Sequence, residues 1–396
     1  IVYYNGLSAD QKLLVTNYSK LAALEEQLKV IEKDALEVEE LEGELDSDVF
    51  DEMIVNGKTL TIQSAKTAGD FAVTIPVDIL QNSIQQYDIK NLVIMDTRGV
   101  KLSISTAQLI KQLQKNKNAN SVNFKISTFD YQKEEFTVDF FIELTNNKKE
   151  KLELNDGYYS LTIPYIYFLN GKKLKDKYLL EVDSENPTIA HVSTDKEVML
   201  KLKKGGTFQF SSDQVSFSDI ATVSNADEII YLANRQVIKG RGNGTFGPNE
   251  EITRGQFAVM IARALTLKAS GDATSFADTK GKWYEKDIQA LVEAGIAKGT
   301  SATTFNPEGK LTRQQAASLM ANLLRYVEFD VDSVLSRTPY VDASKIAEYA
   351  RKDVGILNTL DIMTGNSKGE FSPTANLKRS QMAKVLKRTL NIAEMM

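Results

Sequence analysis

Three arginines occupy the same place in a repeated pattern near the carboxyl end of the sequence. Each lies eight residues after a phenylalanine, which itself lies six residues after a glycine. The arginines are Arg254, Arg313 and Arg379, the phenylalanines are Phe246, Phe305 and Phe371, and the glycines are Gly240, Gly299 and Gly365. Each arginine falls in the first turn of a predicted helix, where the partial positive charge of the helix end disfavours a cation. We therefore expect a negative group beside each one.

The residues around two of these arginines predict well-formed helix starts. Thr253 with Gln256, and Thr312 with Gln315, have the spacing of a capping box. Free N–H groups of a helix start, together with a guanidinium, suit a carboxylate or a phosphate, which predicts a bound anion. The alternative is an internal ion pair that only holds the repeat together. Its carboxylates would be Asp219, Asp278 and Asp342.

These features belong to three tandem blocks, at about residues 215–267, 274–326 and 338–392. Each block runs from an aromatic-x-Asp start through a helix to a glycine-containing loop, then Phe-x-Pro, the arginine and a second helix. We interpret the phenylalanines and Pro248, Pro307 and Pro373 as core and turn residues that shape the loop.

The three blocks resemble S-layer homology (SLH) domains, with ITRGQ, LTRQQ and LKRSQ at the helix openings. The resemblance implies an all-α pseudo-threefold trimer in which each repeat contributes helices to a central bundle, with grooves between repeats. It also implies non-covalent anchoring of an exported protein to secondary cell-wall polysaccharide, whose pyruvate ketal carboxylate would meet the arginine of the repeat.

Carried over by position, the resemblance implies a set of carbohydrate-binding residues. These are Arg254, Arg313, Arg379, Asp219, Asp278, Asp342, Trp283, Gly240, Gly299, Gly365, Gln256 and Gln315. The glycines would let the backbone approach the sugar. Trp283, the only tryptophan, would stack on a sugar ring or else be a half-buried core residue.

The blocks depart from the family pattern at several positions. All three have glutamine where the family has glutamate, and Thr303 replaces the second loop glycine. Lys378 replaces the capping threonine and cannot accept the capping hydrogen bond. Asn225 and Tyr349 stand near the position that corresponds to Trp283. We therefore expect unequal grooves, with the groove of Arg379 the weakest.

Composition excludes several classes of protein. The 396 residues carry a net charge of −5 with a pI near 5.4, so no global basic field attracts nucleic acid or an anionic membrane. Without cysteine there are no disulfides or thiolate metal sites. No apolar run reaches the roughly 18 residues of a membrane span. The start lacks an initiator Met and a signal peptide pattern, which favours a mature or truncated piece of a longer protein.

The remaining sequence divides into two parts. Residues 1–53 predict a helical spacer, because apolar residues from Leu14 to Ile31 recur at helical spacing within a helix from 8 to about 45. Residues 54–212 contain short strand-like runs with two helical patches, DILQNSIQQ and TAQLIKQLQK, and resemble more loosely a module found before SLH triplets. With residues 213–396 as the triplet, the fold class is multidomain α+β: an N-terminal amphipathic helix, a β-rich, sandwich-like middle module and the all-α trimer.

No catalytic pattern stands out in the sequence. His191, the only histidine, lies in a strand-like run and is interpreted as structural. No phosphate-binding loop or complete calcium loop is present, so we expect no enzyme, no cofactor and no metal.

The predicted function is anchoring of a surface or S-layer protein to the cell wall of a Gram-positive bacterium, outside the cell. The partner is secondary cell-wall polysaccharide, with self-assembly into a lattice left open and with no nucleic acid or membrane insertion. Two alternatives remain: a surface polysaccharide hydrolase, or an adhesin, that carries the triplet as its anchor.

Overall fold

The computed structural model describes most of the chain from residue 52 onward. The described ranges are 38–40, 52–56, 58–64, 71–96, 99–127, 130, 133–154, 157–165, 177–182, 184, 188–194, 196–271 and 276–396. The fold is mixed, with sheets in the middle of the chain and helices in the carboxyl-terminal part. The predicted helix from 8 to about 45 lies outside the described residues except for Val38–Glu40, which form a strand and not a helix.

The middle part forms two sheets. The first has the order β1-β2-β3-β5-β6-β10-β13-β12 and the second β11-β14-β8-β7-β4, with β9 beside β8. The strands are β1 Val38–Glu40, β2 Glu52–Asn56, β3 Thr59–Ser64, β4 Phe71–Pro76, β5 Asn91–Asp96, β6 Lys101–Ser105, β7 Ala119–Ile126, β8 Glu135–Leu144, β9 Lys149–Lys151, β10 Tyr159–Pro164, β11 Tyr178–Glu181, β12 Ala190–Ser193, β13 Glu197–Leu202 and β14 Gly206–Ser211. Described neighbours are antiparallel except β3 and β5, which are parallel.

The inner faces of the two sheets share one apolar core. Tyr159 from β10 and Phe140 from β8 place their ring centroids 4.4 Å apart, and Phe124 from β7 packs edge-on against Phe140 at 5.6 Å. All three side chains are at most 2% exposed. The alternation of buried and exposed positions along β8 and β10 is what sequence reasoning detects as a strand.

Two helices follow strands directly in this part, as the sequence predicts. α1 spans Val77–Tyr87 after β4, and α2 spans Thr106–Lys115 after β6. Each buries a leucine on the sheets, Leu80 in α1 and Leu109 in α2, both fully buried.

The carboxyl-terminal part contains paired helices around a second core. The helices are α3 Ala226–Asn234, α4 Arg254–Ala264, α5 Glu285–Glu293, α6 Arg313–Tyr326, α7 Glu348–Thr359 and α8 Arg379–Ile392. Each pair joins consecutive repeats: α4 packs on α5, α6 on α7, and α8 returns to α3. The three repeats therefore close a cycle.

The helices in each pair begin at the same end of the bundle. The side-chain amide of Asn225, just before α3, donates to the Ser380 carbonyl at the start of α8. The Ala347 N–H, just before α7, donates to Gln314 Oε1 at the start of α6, at 3.0 Å. Their positive dipole ends therefore gather at one end of the bundle.

The sheets contact the opposite end of the bundle. The Tyr158 hydroxyl donates to the Leu265 carbonyl after α4 at 2.8 Å, and the Thr188 hydroxyl donates to the Arg235 carbonyl after α3 at 3.0 Å. Lys203 donates to the hydroxyl of Tyr326, the last residue of α6, at 2.8 Å. The β-rich part thus covers the carboxyl ends of helices, where a cation such as Lys203 is favoured.

Candidate functional site between the repeats

Each aspartate of the aromatic-x-Asp motif holds the loop of its own repeat. Asp219 accepts from the N–H groups of Phe246 and Gly247, both at 2.8 Å. The same pair of bonds runs from Phe305 and Asn306 to Asp278, and from Phe371 and Ser372 to Asp342. The residue after each phenylalanine has a positive φ, so the carboxylate stabilises a left-handed turn even where no glycine stands.

Backbone hydrogen bonds control the charge of two of these aspartates. The N–H of Phe246 lowers the pKa of Asp219. Burial raises the pKa of Asp342, but the N–H groups of Phe371 and Ser372 together outweigh burial and leave the pKa lowered. These carboxylates are therefore ionised at neutral pH. Among the described residues, none of the three aspartates forms a direct ion pair with one of the repeated arginines. Burial lowers the pKa of these arginines, but the charge of Asp278 opposes this shift at Arg254, as Asp342 does at Arg313 and Asp219 at Arg379.

Each arginine instead binds the loop of the next repeat. Arg254 donates from Nε to the Phe305 carbonyl at 3.1 Å and from Nη2 to the Lys298 carbonyl at 3.2 Å. Its guanidinium lies 4.7 Å from the centroid of the buried Phe305 ring. The negative face of the Phe305 ring and the two carbonyl oxygens supply the partial negative charge that a cation at a helix start needs.

The other two arginines repeat this arrangement around the cycle. Arg313 donates to the carbonyls of Phe371 and Thr364, and Arg379 donates to those of Phe246 and Lys239. Their guanidinium groups lie 4.8 and 4.5 Å from the rings of Phe371 and Phe246. We name the three sets together the arginine clasps. Burial lowers the pKa of each arginine, which still remains a cation because a guanidinium is not deprotonated in proteins.

The prediction of free N–H groups at the helix starts is wrong. The N–H groups of Arg254 and Gly255 donate to the carbonyls of Gly309 and Pro307 in the next repeat, at 2.9 and 2.8 Å. Equivalent bonds occupy the first two N–H groups of α6 and α8. The third N–H of α4 donates to the Thr253 hydroxyl in the predicted capping box. These backbone donors are used by the protein and are not open to an anion.

A closed ring of three backbone hydrogen bonds lies just before the arginines. The N–H of Ile252 donates to the Leu377 carbonyl, that of Leu377 to Leu311, and that of Leu311 back to Ile252. The distances are 2.9, 2.8 and 3.1 Å, and all three side chains are fully buried. The ring fixes the relative position of the three helix starts.

The loop glycines are required by packing inside each repeat. A Cβ at Gly299 would lie 2.4 Å from the Phe276 ring and 2.4 Å from the Ser301 carbonyl oxygen. Gly240 and Gly365 meet the rings of Phe217 and Tyr340 in the same way. The glycines thus let the first aromatic of the repeat pack against its own loop, a reason that the sequence did not reveal.

One groove between repeats forms a cavity of about 620 Å³. It brings together four predicted residues: Gly240 and Gln256 from the first repeat, Trp283 from the second and Arg379 from the third. Trp283 is 65% exposed, so it is not the half-buried core residue of the alternative interpretation. Four cations, Lys239, Arg241, Arg263 and Arg379, and one carboxylate, Glu250, line this groove, so its lining is net positive. Glu250 pairs with Arg241, and nearby Asp287 offsets part of the charge of Arg263 and Lys239.

The helix start before Arg379 has Lys378 in place of the capping threonine and keeps part of its hydrogen bonding. Gln381 still accepts from the Lys378 N–H at 3.0 Å, which keeps one half of the capping box. The Lys378 ammonium donates to Asn249 Oδ1 at 3.3 Å. The helix start at Arg379 thus lacks the side-chain half of the cap but keeps the same two backbone bonds to the neighbouring repeat as the other two.

The other predicted residues lie at the equivalent places of the cycle. Tyr349 is largely exposed. The buried part of its side chain raises its pKa, and the nearby cation of Arg254 opposes this shift. Buried Asn225 in the first repeat presents no aromatic surface. The three inter-repeat sites are therefore unequal in aromatic character.

The carboxyl-terminal part is thus a three-repeat bundle closed by arginine clasps, with a groove between repeats. The profile of the S-layer homology domain matches residues 216–258, 275–317 and 339–383. The carboxyl-terminal part thus consists of three S-layer homology domains. Domains of this family bind cell-wall polysaccharide and anchor surface proteins to the cell wall.

The chain is similar to both enzymes and S-layer proteins. An endoglucanase of Bacillus sp. (strain KSM-635) is 34% identical over 190 residues, 48% of this chain and 20% of that protein. An amylopullulanase of Thermoanaerobacterium thermosulfurigenes is 26% identical over 360 residues, which are 86% of this chain and 18% of that protein. An S-layer protein of Bacillus thuringiensis subsp. finitimus is 31% identical over 178 residues, which are 44% of this chain and 21% of that protein. The chain therefore spans about one fifth of the length of these relatives.

These comparisons place the chain at the bacterial cell surface, associated with the cell wall, as predicted. They contradict the prediction that no enzyme is involved, because two of these relatives are enzymes by name. Within the described residues, no helix is long and apolar enough to cross a membrane.

Proposed function

We propose that this chain is the wall-anchoring part of a surface polysaccharide hydrolase. The observation that carries the proposal is the amylopullulanase match, which covers 86% of the chain and therefore extends beyond the triplet into the β-rich part. The endoglucanase match points to the same class of protein. In such an enzyme the triplet holds the protein on the wall while its catalytic part acts on polysaccharide outside the cell.

The proposed division of the chain follows its two cores: a β-rich, sandwich-like module at 54–212 and a pseudo-threefold trimer at 213–396, preceded by a spacer at 1–53. The arginine clasps lie at the helix starts and the groove runs from them along α4 to Arg263, whereas the β-rich module contacts the helix ends. Grooves that face the wall therefore direct the module away from it, which is the geometry that an anchor needs.

The proposed ligand is an acidic secondary cell-wall polysaccharide, with a pyruvate ketal as the acidic group. Nε and Nη2 of each clasp arginine bind carbonyls of the next repeat, and Nη1 makes no hydrogen bond to a described residue. We assign Nη1 of Arg379 to the ligand carboxylate and the exposed face of Trp283 to a sugar ring. Three inter-repeat sites on one polymer would add avidity.

A second candidate is an S-layer subunit that assembles into a lattice. It is favoured by S-layer relatives such as that of Bacillus thuringiensis subsp. finitimus, whose match of 178 residues is about the length of the triplet. Because a match of that length need not include the β-rich module, it supports this candidate less than the amylopullulanase match supports the first.

The role of the groove is tested by Trp283→Ala, measured as binding of the 396-residue chain to purified Gram-positive wall fragments. We expect affinity to fall about tenfold, because a large aromatic stacking surface is lost while a side chain this exposed contributes little to stability. Leu335→Ala, another exposed apolar side chain, is the matched control and should bind normally. Equal binding by both variants, or equal binding to fragments stripped of pyruvate, would contradict the assigned site.

The hydrolase proposal is tested by removing the native protein from a surface extract of the source bacterium with an antibody against this chain. We expect depletion to remove activity that releases reducing sugars from pullulan or from a soluble β-glucan, because anchor and catalytic part belong to one protein. A pre-immune antibody is the control. Complete removal of the protein with full activity left in the extract would overturn the proposal and favour the S-layer subunit.

A further inference from the structure

The β-rich module contains a second groove, between α1 and α2, with a volume of about 780 Å³. This volume lies within the roughly 300–1,000 Å³ of small-molecule binding sites. The groove shares no lining residue with the groove at Arg379. It also takes no part in the contacts to the helix ends, which are made by Tyr158, Thr188 and Lys203.

The two helices that form the groove occupy equivalent places in the module and match at a few positions. Each follows a strand directly, and aligning Ile75 with Ile104 pairs the buried Leu80 with Leu109 and Gln85 with Gln114. The groove is therefore bordered on both sides by related surfaces. Its floor is aliphatic, made by Ile84, Ile110 and Leu113.

The sides of this groove are rich in amide side chains. Gln81, Gln85, Gln114 and Asn120 are exposed and make no hydrogen bond to a described residue. Each amide both donates and accepts, as a sugar hydroxyl does. Asp78 and Lys117 at the groove balance one another, so no net charge selects an ionic ligand.

We propose that the α1–α2 groove binds a neutral polysaccharide, with amides on the hydroxyl groups and the aliphatic floor under the C–H faces of the sugar rings. The choice of a glucan rests on the proposed function, because the amylopullulanase match extends into this module. The uncharged groove of the module then binds the glucan substrate, and the positive groove between the repeats binds the acidic wall polymer.

The test compares two triple variants of the full 396-residue chain. The first, Gln81→Ala, Gln85→Ala, Gln114→Ala, removes the amides of the groove. The control, Asn82→Ala, Gln86→Ala, Lys115→Ala, removes exposed side chains of the same helices that do not line it. Alanine is the best helix former, so both variants should fold, which circular dichroism checks.

Binding is measured by calorimetry with pullulan, hydroxyethyl cellulose, anionic polygalacturonate and an unfolded polypeptide. We expect the unmodified chain and the control to bind a neutral glucan, and the groove variant to lose at least tenfold in affinity, about 1.4 kcal/mol. Both variants should bind wall fragments normally. No binding to either neutral glucan, preference for polygalacturonate, binding of the polypeptide alone, or equal affinity of the two variants would overturn the proposal.

These outcomes separate this proposal from the function on which it rests. Loss of glucan binding in Trp283→Ala would place the glucan in the trimer and contradict the α1–α2 site. If antibody depletion leaves hydrolase activity in the surface extract, the hydrolase proposal fails, whereas the groove variant still reports directly on glucan binding.

Discussion

Replacing Arg379 with alanine is expected to lower the free energy of unfolding of the trimer by about 3 kcal/mol. The side chain is 7% exposed and donates to the carbonyls of Phe246 and Lys239, at 3.0 and 3.1 Å. A hydrogen bond from a charged group contributes about 1.5–3 kcal/mol, and its loss leaves the carbonyl of the buried Phe246 unpaired. The cation–π contact with the Phe246 ring is lost as well.

Urea unfolding followed by the helical circular dichroism signal measures this loss. Arg379→Lys should recover less than half of it, because a single ammonium cannot reach both carbonyls and lie flat on the ring. Arg337→Ala is the matched control. This exposed arginine makes no side-chain hydrogen bond or ion pair with a described residue, so the substitution should lower the free energy of unfolding by at most about 0.5 kcal/mol. If Arg379→Ala were as stable as Arg337→Ala, the clasp would contribute nothing to closing the cycle.

This prediction changes how binding data on the arginines are interpreted. A loss of wall binding in an arginine-to-alanine variant would combine two effects, since the same guanidinium holds the next repeat and faces the groove. Trp283 separates them because its side chain is largely exposed and is linked to the bundle mainly through an edge contact with Tyr284. A ligand contact is therefore tested more cleanly at Trp283 than at Arg379.

The local features of the triplet could be predicted from sequence. The capping boxes at Thr253 and Thr312 and the buried phenylalanines depend on short spacings within a repeat. The partners of the arginines could not be predicted, because they lie in the following repeat and depend on closure of the cycle. A free helix start and one occupied by a carbonyl 50 residues away look the same in sequence.

Burial of polar residues in β7 could not be predicted from sequence either. In β7 the apolar residues Val122, Phe124 and Ile126 alternate with polar ones, but Ser121 and Asn123 on the opposite face are buried as well. Asn123 accepts from the Thr74 hydroxyl at 2.7 Å and donates to the Ser121 hydroxyl at 2.9 Å, which satisfies these polar groups inside the module. Alternation in the sequence therefore indicates the strand, but it does not reveal that the polar face of the strand is covered too.

The second prediction concerns pH: the β-rich module should lose about 2 kcal/mol of stability between pH 7 and pH 5. Burial, followed by the charge of Arg235, lowers the pKa of His191 to about 3, whereas a backbone contact with Ile189 opposes the shift. The ring is 1% exposed and Nε2 accepts from the Leu179 N–H at 3.3 Å, so Nδ1 carries the proton and donates to the Ile189 carbonyl at 2.9 Å. The sequence interpretation of His191 as a structural residue agrees with this environment.

The sign of the pH effect follows from the lowered pKa. The unfolded chain binds a proton near pH 6.5 and the folded one only near pH 3, so the stabilisation is complete above pH 6.5 and is lost as the pH falls below it. Since His191 is the only histidine, and carboxyl groups titrate mainly below pH 5, no other side chain should produce this slope. Urea unfolding of the chain and of His191→Gln at pH 5, 6 and 7 measures it. The variant will be less stable at pH 7, but its stability should be nearly constant over this range; an equal slope in both proteins would mean that His191 is protonated in the folded state or is not buried.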